Sequence, residues 1–219
     1  MKLIITYLFI AFCSVRLFGD VDISALEARA TAGDASAQNE LGAYYQEGAK
    51  VPKDEARALS LYQHAADAGH PVAAYNLAFM YDMGLSVAKD RSTANTWYRK
   101  SAEAGYPPAM LNLGMNVAGG DGVAQDFVEG MMWIDLARFF TQHTSDKDMK
   151  YRIRGAYDYL RKRMTDPQFR EAQARSKAWW EQFKAKQQNK APQNSSPAKQ
   201  AEEPSATKND ASTNSLFGR

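Results

Sequence analysis

The 219-residue sequence predicts an all-helical solenoid, a stack of antiparallel helix pairs, and three observations predict it. The chain matches itself at a shift of 36 residues, in three consecutive copies with no insertion or deletion between them. Within each copy the apolar residues recur at helical spacing and stop at a glycine. Segments of the same kind flank the copies, as the ends of a stack require, because a terminal copy would otherwise expose a face meant for a neighbour.

The first element is a leader. Met1 and Lys2 precede an uncharged apolar run from Leu3 to Val15, the length of a secretory hydrophobic region and short for a bilayer span. It predicts a signal peptide over residues 1–19, with cleavage after Gly19 preferred to cleavage after Cys13. A lipid-modified Cys13 and an uncleaved anchor are the alternatives. In the next segment, 20–32, Leu26, Ala30 and Ala32 align with Tyr62, Ala66 and Ala68, so it predicts a lone second-type helix capping the N-terminal end.

The copies follow at 33–68, 69–104 and 105–140. Gly33, Gly69 and Gly105 align, as do Ala37, Ala73 and Ala109, then Leu41, Leu77 and Leu113, with Gly48, Gly84 and Gly120 closing each first half. In the second halves Val51, Val87 and Val123 align, then Asp54, Asp90 and Asp126, then Leu61, Trp97 and Trp133. Ala37, Leu41 and Tyr45 at every fourth place predict a helix A that ends at Gly48. Ala58, Leu61, Tyr62, Ala65 and Ala66 predict a helix B that ends at Gly69. The recurring aspartates sit where a carboxylate would cap helix B, and Glu129, three residues after Asp126, has capping-box spacing. Capping is therefore favoured over catalysis or metal binding for them. The small residues predict close helix approach, with Tyr62, Trp97, Tyr98 and Trp133 as core.

The pattern of alanines, leucine, glycines, aspartate and aromatic pair, from Gly33 to about Ala137, resembles the Sel-one-like repeat, a relative of the tetratricopeptide repeat. Copy two departs at Ala78, where the pattern has glycine, and copy three departs at Val117 and Gly130. The resemblance implies a right-handed α-solenoid of antiparallel helix pairs, about three 36-residue repeats plus capping helices, that binds proteins or peptides, usually without catalysis. The segment from Met164 to Trp180 resembles the closing helix of bacterial members. A C-terminal capping pair is thus expected over 141–186, with one stripe from Met149, Ile153, Tyr157 and Leu160 and another from Phe169, Ala172, Ser176, Trp180 and Phe183. From 187 to 219 the composition turns polar, predicting a disordered tail.

Familiar chemistry finds little support. Cys13 is the only cysteine, and His64, His70 and His143 fall in no metal-ligand spacing, which predicts surface or loop histidines. No nucleotide-binding glycine motif or nucleophile elbow occurs. Two S-x-x-K sequences, at Ser196 and Ser205, match a serine β-lactamase signature but lie in the predicted tail, where no base can be held in register. The reading is therefore no enzyme, no cofactor and no metal, with a β-lactamase-like activity as the weakest alternative. A net charge of +2 is too balanced for a nucleic-acid-tracking surface. It hides a division: residues 20–137 hold 16 acidic and 8 basic side chains, net −8, and residues 138–186 hold 13 basic and 6 acidic, net +7. These are either ordinary solvated helix faces or a basic end suited to an anionic surface or to a second copy's acidic end.

In tetratricopeptide-like solenoids helix A lines the concave side, and the resemblance places the groove at fixed offsets from the repeated leucine. Those offsets give Tyr75, Phe79, Asp82 and Met83 in copy two and Leu111 and Met115 in copy three. Asn76 and Asn112 stand just before the leucine, where related repeats use an amide to hold a peptide backbone. The predicted function is an exported scaffold, periplasmic or extracellular, that binds a partner peptide or helix there. A secreted, host-directed or polysaccharide-associated factor is the alternative. The competing reading of this strip has it covered by the helix from Asp146 to Arg163 or by the tail.

Overall fold

A computed structural model of the chain describes residues 21–190, and among them nine helices and no strand. They are α1 (Ile23–Thr31), α2 (Ala35–Glu47), α3 (Glu55–Asp67), α4 (Pro71–Met83), α5 (Arg91–Glu103), α6 (Pro107–Gly119), α7 (Phe127–Phe140), α8 (Lys147–Arg161) and α9 (Asp166–Lys190). The A helices are α2, α4 and α6, and the B helices are α3, α5 and α7. From α1 to α8 each packs on the next along the chain, and α8 packs on both α6 and α7. This is an α-solenoid. One compact unit runs to Glu181; of the second, from Gln182, the described part is the end of α9.

Local chemistry explains the boundaries. Asp54, Asp90 and Asp126 are N-caps, accepting backbone N–H groups from Arg57, Thr93 and both Val128 and Glu129 at 2.8–3.0 Å. The same aspartates donate their own N–H groups to Tyr45, Tyr81 and Val117 carbonyls at 2.9–3.0 Å, which ties the start of each B helix to its A helix. At Gly48, Gly84 and Gly120 the backbone turns left-handed, with φ of 71–76°, so each A helix stops where a side chain would be strained.

The predicted core is present. Ala37, Leu41, Ala73, Leu77, Ala109 and Leu113 are buried on the A helices, and Tyr62, Trp97, Tyr98 and Trp133 on the B helices. The departures of copy three leave both helices regular. A Cβ on Gly130 would lie 2.7 Å from the Ala118 Cβ and from the Gly114 carbonyl oxygen, so the glycine permits a closer approach of α6 and α7.

Some expectations need correction or sharpening. Glu129 does not complete a capping box: its Oε1 accepts from Arg99 at 2.6 Å and from the Trp133 indole at 3.1 Å. His70 lies in the loop before α4, as expected, and there its Nδ1 accepts the Ala73 N–H at 3.2 Å and caps α4. The helix expected to close near 186 continues to Lys190, so 187–190 are helical rather than tail. The competing reading, a strip covered by α8, is met in part: α8 packs on α6, which carries Leu111 and Met115, and on α7, as a further A helix would. The leader at 1–19, Cys13 and both S-x-x-K sequences lie outside the described residues, as does the tail beyond 190.

Candidate binding face on the A helices

The candidate residues sit on α4 and α6, and the fold divides them. Tyr75, Phe79 and Met83 follow one another at single-turn spacing along α4. Met83 is 55% exposed and Phe79 is half-buried; among the described residues, Phe79 is not one of the half-buried apolar side chains that pack on the core. Tyr75 does pack on it. Its ring lies 5.7 Å from Tyr98 and 5.3 Å edge-on from Tyr106, which makes it a bridge between α5 and the start of α6. The face of α4 bearing Tyr75 is thus partly required by packing. On α6 the correction is larger. Leu111 is 4% exposed and belongs to the core, so it offers no side chain to a partner, while Met115 is half-buried against that core.

The polar candidates are engaged within the fold. Asn76 donates from Nδ2 to Asn39 Oδ1 at 3.0 Å, joining α4 to α2 across one repeat. Asn112 lies beside the buried Tyr98 hydroxyl, which makes no hydrogen bond of normal geometry. Burial pushes the Tyr98 phenol well above its usual range and the Asn112 amide opposes the shift. An amide has two donors and two acceptor sites, so one internal bond leaves Asn76 with capacity for a ligand backbone. Asp82 pairs with Arg91 at 3.4 Å, and Arg91 also reaches Asp121, which binds the loop after α6 to the start of α5.

Sequence reasoning missed Tyr106 and Arg91. Asn39 shares its register with Tyr75 and so stands at the matching groove offset of copy one. Around α2 the face is acidic: Tyr44 is raised above the ordinary tyrosine value by burial first and then by Glu40 and Glu47. At the other end of the stack, Arg152, Arg154, Lys162 and Arg163 on and just after α8 are exposed, as are Tyr151 and Tyr159. Among the described residues no group of three histidine, cysteine or acidic side chains is placed to hold a metal ion. No helix there is long and apolar enough to cross a membrane.

Comparison with known proteins places this geometry. The Sel1 repeat matches three times, over residues 35–70, 71–106 and 107–137. A Sel1 repeat protein from Oxalobacter formigenes, solved by crystallography, is 34% identical over 61% of this chain and 98% of its own, with a TM-score of 0.53. A protective antigen of uropathogenic Escherichia coli that displays an SLR fold is 24% identical over 84% of this chain, with a TM-score of 0.50. The chain spans about half of that antigen, 47% of its length, and the likeness is one of fold. No curated protein matches the chain.

Proposed function

Because the chain belongs to the Sel1-repeat family, whose members are generally non-catalytic scaffolds for protein–protein interaction, we propose that it is a scaffold binding a peptide or helix along its A helices. One observation carries the reading: Phe79 and Met83 present apolar surface on α4 beside the Asn76 amide, without being taken into the core. Tyr75 and Met115 form the floor of that face, Asn76 and Asn112 supply amides, and Asp82 is its charged edge. No catalytic role is assigned. The basic start and apolar run of residues 1–19 support export, to the periplasm or beyond the cell. Sequencing the N-terminus of the protein from its host, together with fractionation, tests that part.

The binding reading is tested by selecting peptides from a displayed library on the wild-type chain and measuring them against Phe79→Glu. Loss of about 2 kcal/mol or more of binding, with unchanged helicity and melting, is the expected outcome. If the variant unfolds, Phe79 is core. If it binds the selected peptides as tightly as wild type, the site lies elsewhere.

A further inference from the structure

The repeat itself reveals a second site, on the opposite side of the A helices and independent of the face above. Side chains of neighbouring B-type helices face one another across an A helix: Arg99 of α5 reaches Glu129 of α7, and α1 and α3 wall one cavity with α2. Two of the seams so formed hold an indole. Trp97 on α5 is buried with the Lys100 ammonium 3.7 Å above its ring. Trp133 on α7 is 2% exposed and donates its ring N–H to Glu129, which also accepts from Arg99 of the preceding B helix.

The first seam, between α1 and α3 over α2, differs. Leu61 stands where the other copies carry Trp97 and Trp133, and a cavity of about 620 Å³ opens to solvent beside it. The groups that attend an indole in the other seams have counterparts on its walls. His64 is in the register of Lys100. Glu27 and Arg57 occupy the places of Arg99 and Glu129 with the charges exchanged. They are held in position: the Tyr45 hydroxyl donates to Glu27 Oε1 at 3.2 Å, and the Arg57 guanidinium lies 4.4 Å over the Tyr45 ring. Leucine in place of tryptophan therefore leaves a seam with a carboxylate, a guanidinium and an imidazole around the Tyr45 ring, but with no indole.

We propose that this cavity is a socket for the indole of a tryptophan side chain presented by a partner polypeptide. Arg57 cannot accept a ring N–H, so Glu27 accepts it across the seam, as Glu129 does for Trp133 from its own helix. Arg57 supplies the contact to the ring face that Lys100 supplies to Trp97, with the His64 ring on the wall beside it. Leu61, Leu41 and Ala30 form the apolar part of the wall.

The test titrates the full chain with a fluorinated N-acetyltryptophanamide followed by fluorine NMR, which the protein's own tryptophans do not obscure. Its ring-N-methylated analogue and free fluorotryptophan serve as comparison probes. Saturable binding of the amide is expected, with the N-methyl analogue weaker by about tenfold because it cannot donate to Glu27. Free fluorotryptophan should bind no more tightly than the amide; a clear preference for it would make the site one for the amino acid and overturn the polypeptide reading. Leu61→Trp should fill the socket, abolish binding and raise the melting temperature. Should that variant lose helicity, Glu27→Gln decides: it keeps an acceptor for Tyr45 and should narrow the gap between the N–H and N-methyl probes. Non-saturating shifts with wild type, or undiminished binding by a folded Leu61→Trp, would overturn the proposal.

Discussion

Repeats one and three share a backbone plan and are filled by different chemistry. In repeat three the largest fully buried side chains are Met110, Leu113, Val117, Met131, Trp133 and Ile134, with Gly114 against Gly130 at the helix crossing. Besides Leu41, repeat one buries alanines and tyrosines, and the tyrosines are tied by their hydroxyls: Tyr45 to Glu27 at 3.2 Å and Tyr62 to Gln46 at 2.8 Å. Burial pushes the Tyr62 phenol far above its usual range, as expected for a ring placed in the core with only its tip satisfied. The 36-residue period therefore fixes where side chains point, and leaves each copy free to fill its seam with large apolar groups or with hydrogen-bonded ones. One consequence is a dense seam at one end of the stack and a hollow one at the other.

The comparison breaks most readily at the aromatic position of helix B. Trp133→Ala should cost about 3–5 kcal/mol in urea unfolding, because it removes a fully enclosed indole and leaves Glu129 and Arg99 over a void. Leu61→Ala, half-buried beside an existing cavity, should cost less than about 2 kcal/mol. Equal losses would mean that the two seams are filled alike. The crossing of α6 and α7 gives the next largest effect. Gly130→Ala should destabilise by about 1–3 kcal/mol despite the better helix propensity of alanine, since its Cβ would meet the Ala118 Cβ and the Gly114 carbonyl oxygen at 2.7 Å. Repeat one already carries Ala58 at the equivalent place, buried. A stable Gly130→Ala would show that α6 and α7 can separate as α2 and α3 do.

The period, both helix faces, the aspartate caps and the glycine stops were legible because each depends on residues within about one or two turns. What was not legible depends on neighbours distant in sequence. Leu111 shares a register with Asn39 and Tyr75, but register sets direction and not burial, and α6 has α8 packed against it. Glu129 has the spacing of a capping box, yet an arginine 30 residues earlier and an indole one turn later compete for it and win. The hollow first seam had a visible signal, Leu61 against Trp97 and Trp133, whose meaning needed the walls that only the fold brings together.

The smallest effect sharpens the comparison at the starts of the A helices. Helix α2 is capped by the Asp34 carboxylate, held below the usual carboxylate range first by the Arg29 side chain and then by the Ala37 N–H. Helix α6 has no side-chain cap, and α4 uses the imidazole of His70. Accepting the Ala73 N–H requires an unprotonated Nδ1, and burial lowers the His70 pKa below its ordinary value of 6.5 while Asp34 opposes that shift. With the folded pKa depressed, the unfolded chain binds the proton more readily. The cap's contribution is then fully present above pH 6.5 and declines as the pH falls toward the folded value, below which it levels off. His70→Ala should cost about 1 kcal/mol at pH 7.5, the usual loss for a removed cap. His70→Asn keeps an acceptor that does not titrate, so its stability at pH 5.5 relative to pH 7.5 should fall less than wild type's. Parallel pH profiles for wild type and His70→Asn in urea unfolding would show that the imidazole cap of α4 is not what titrates, and that α4 begins as α6 does.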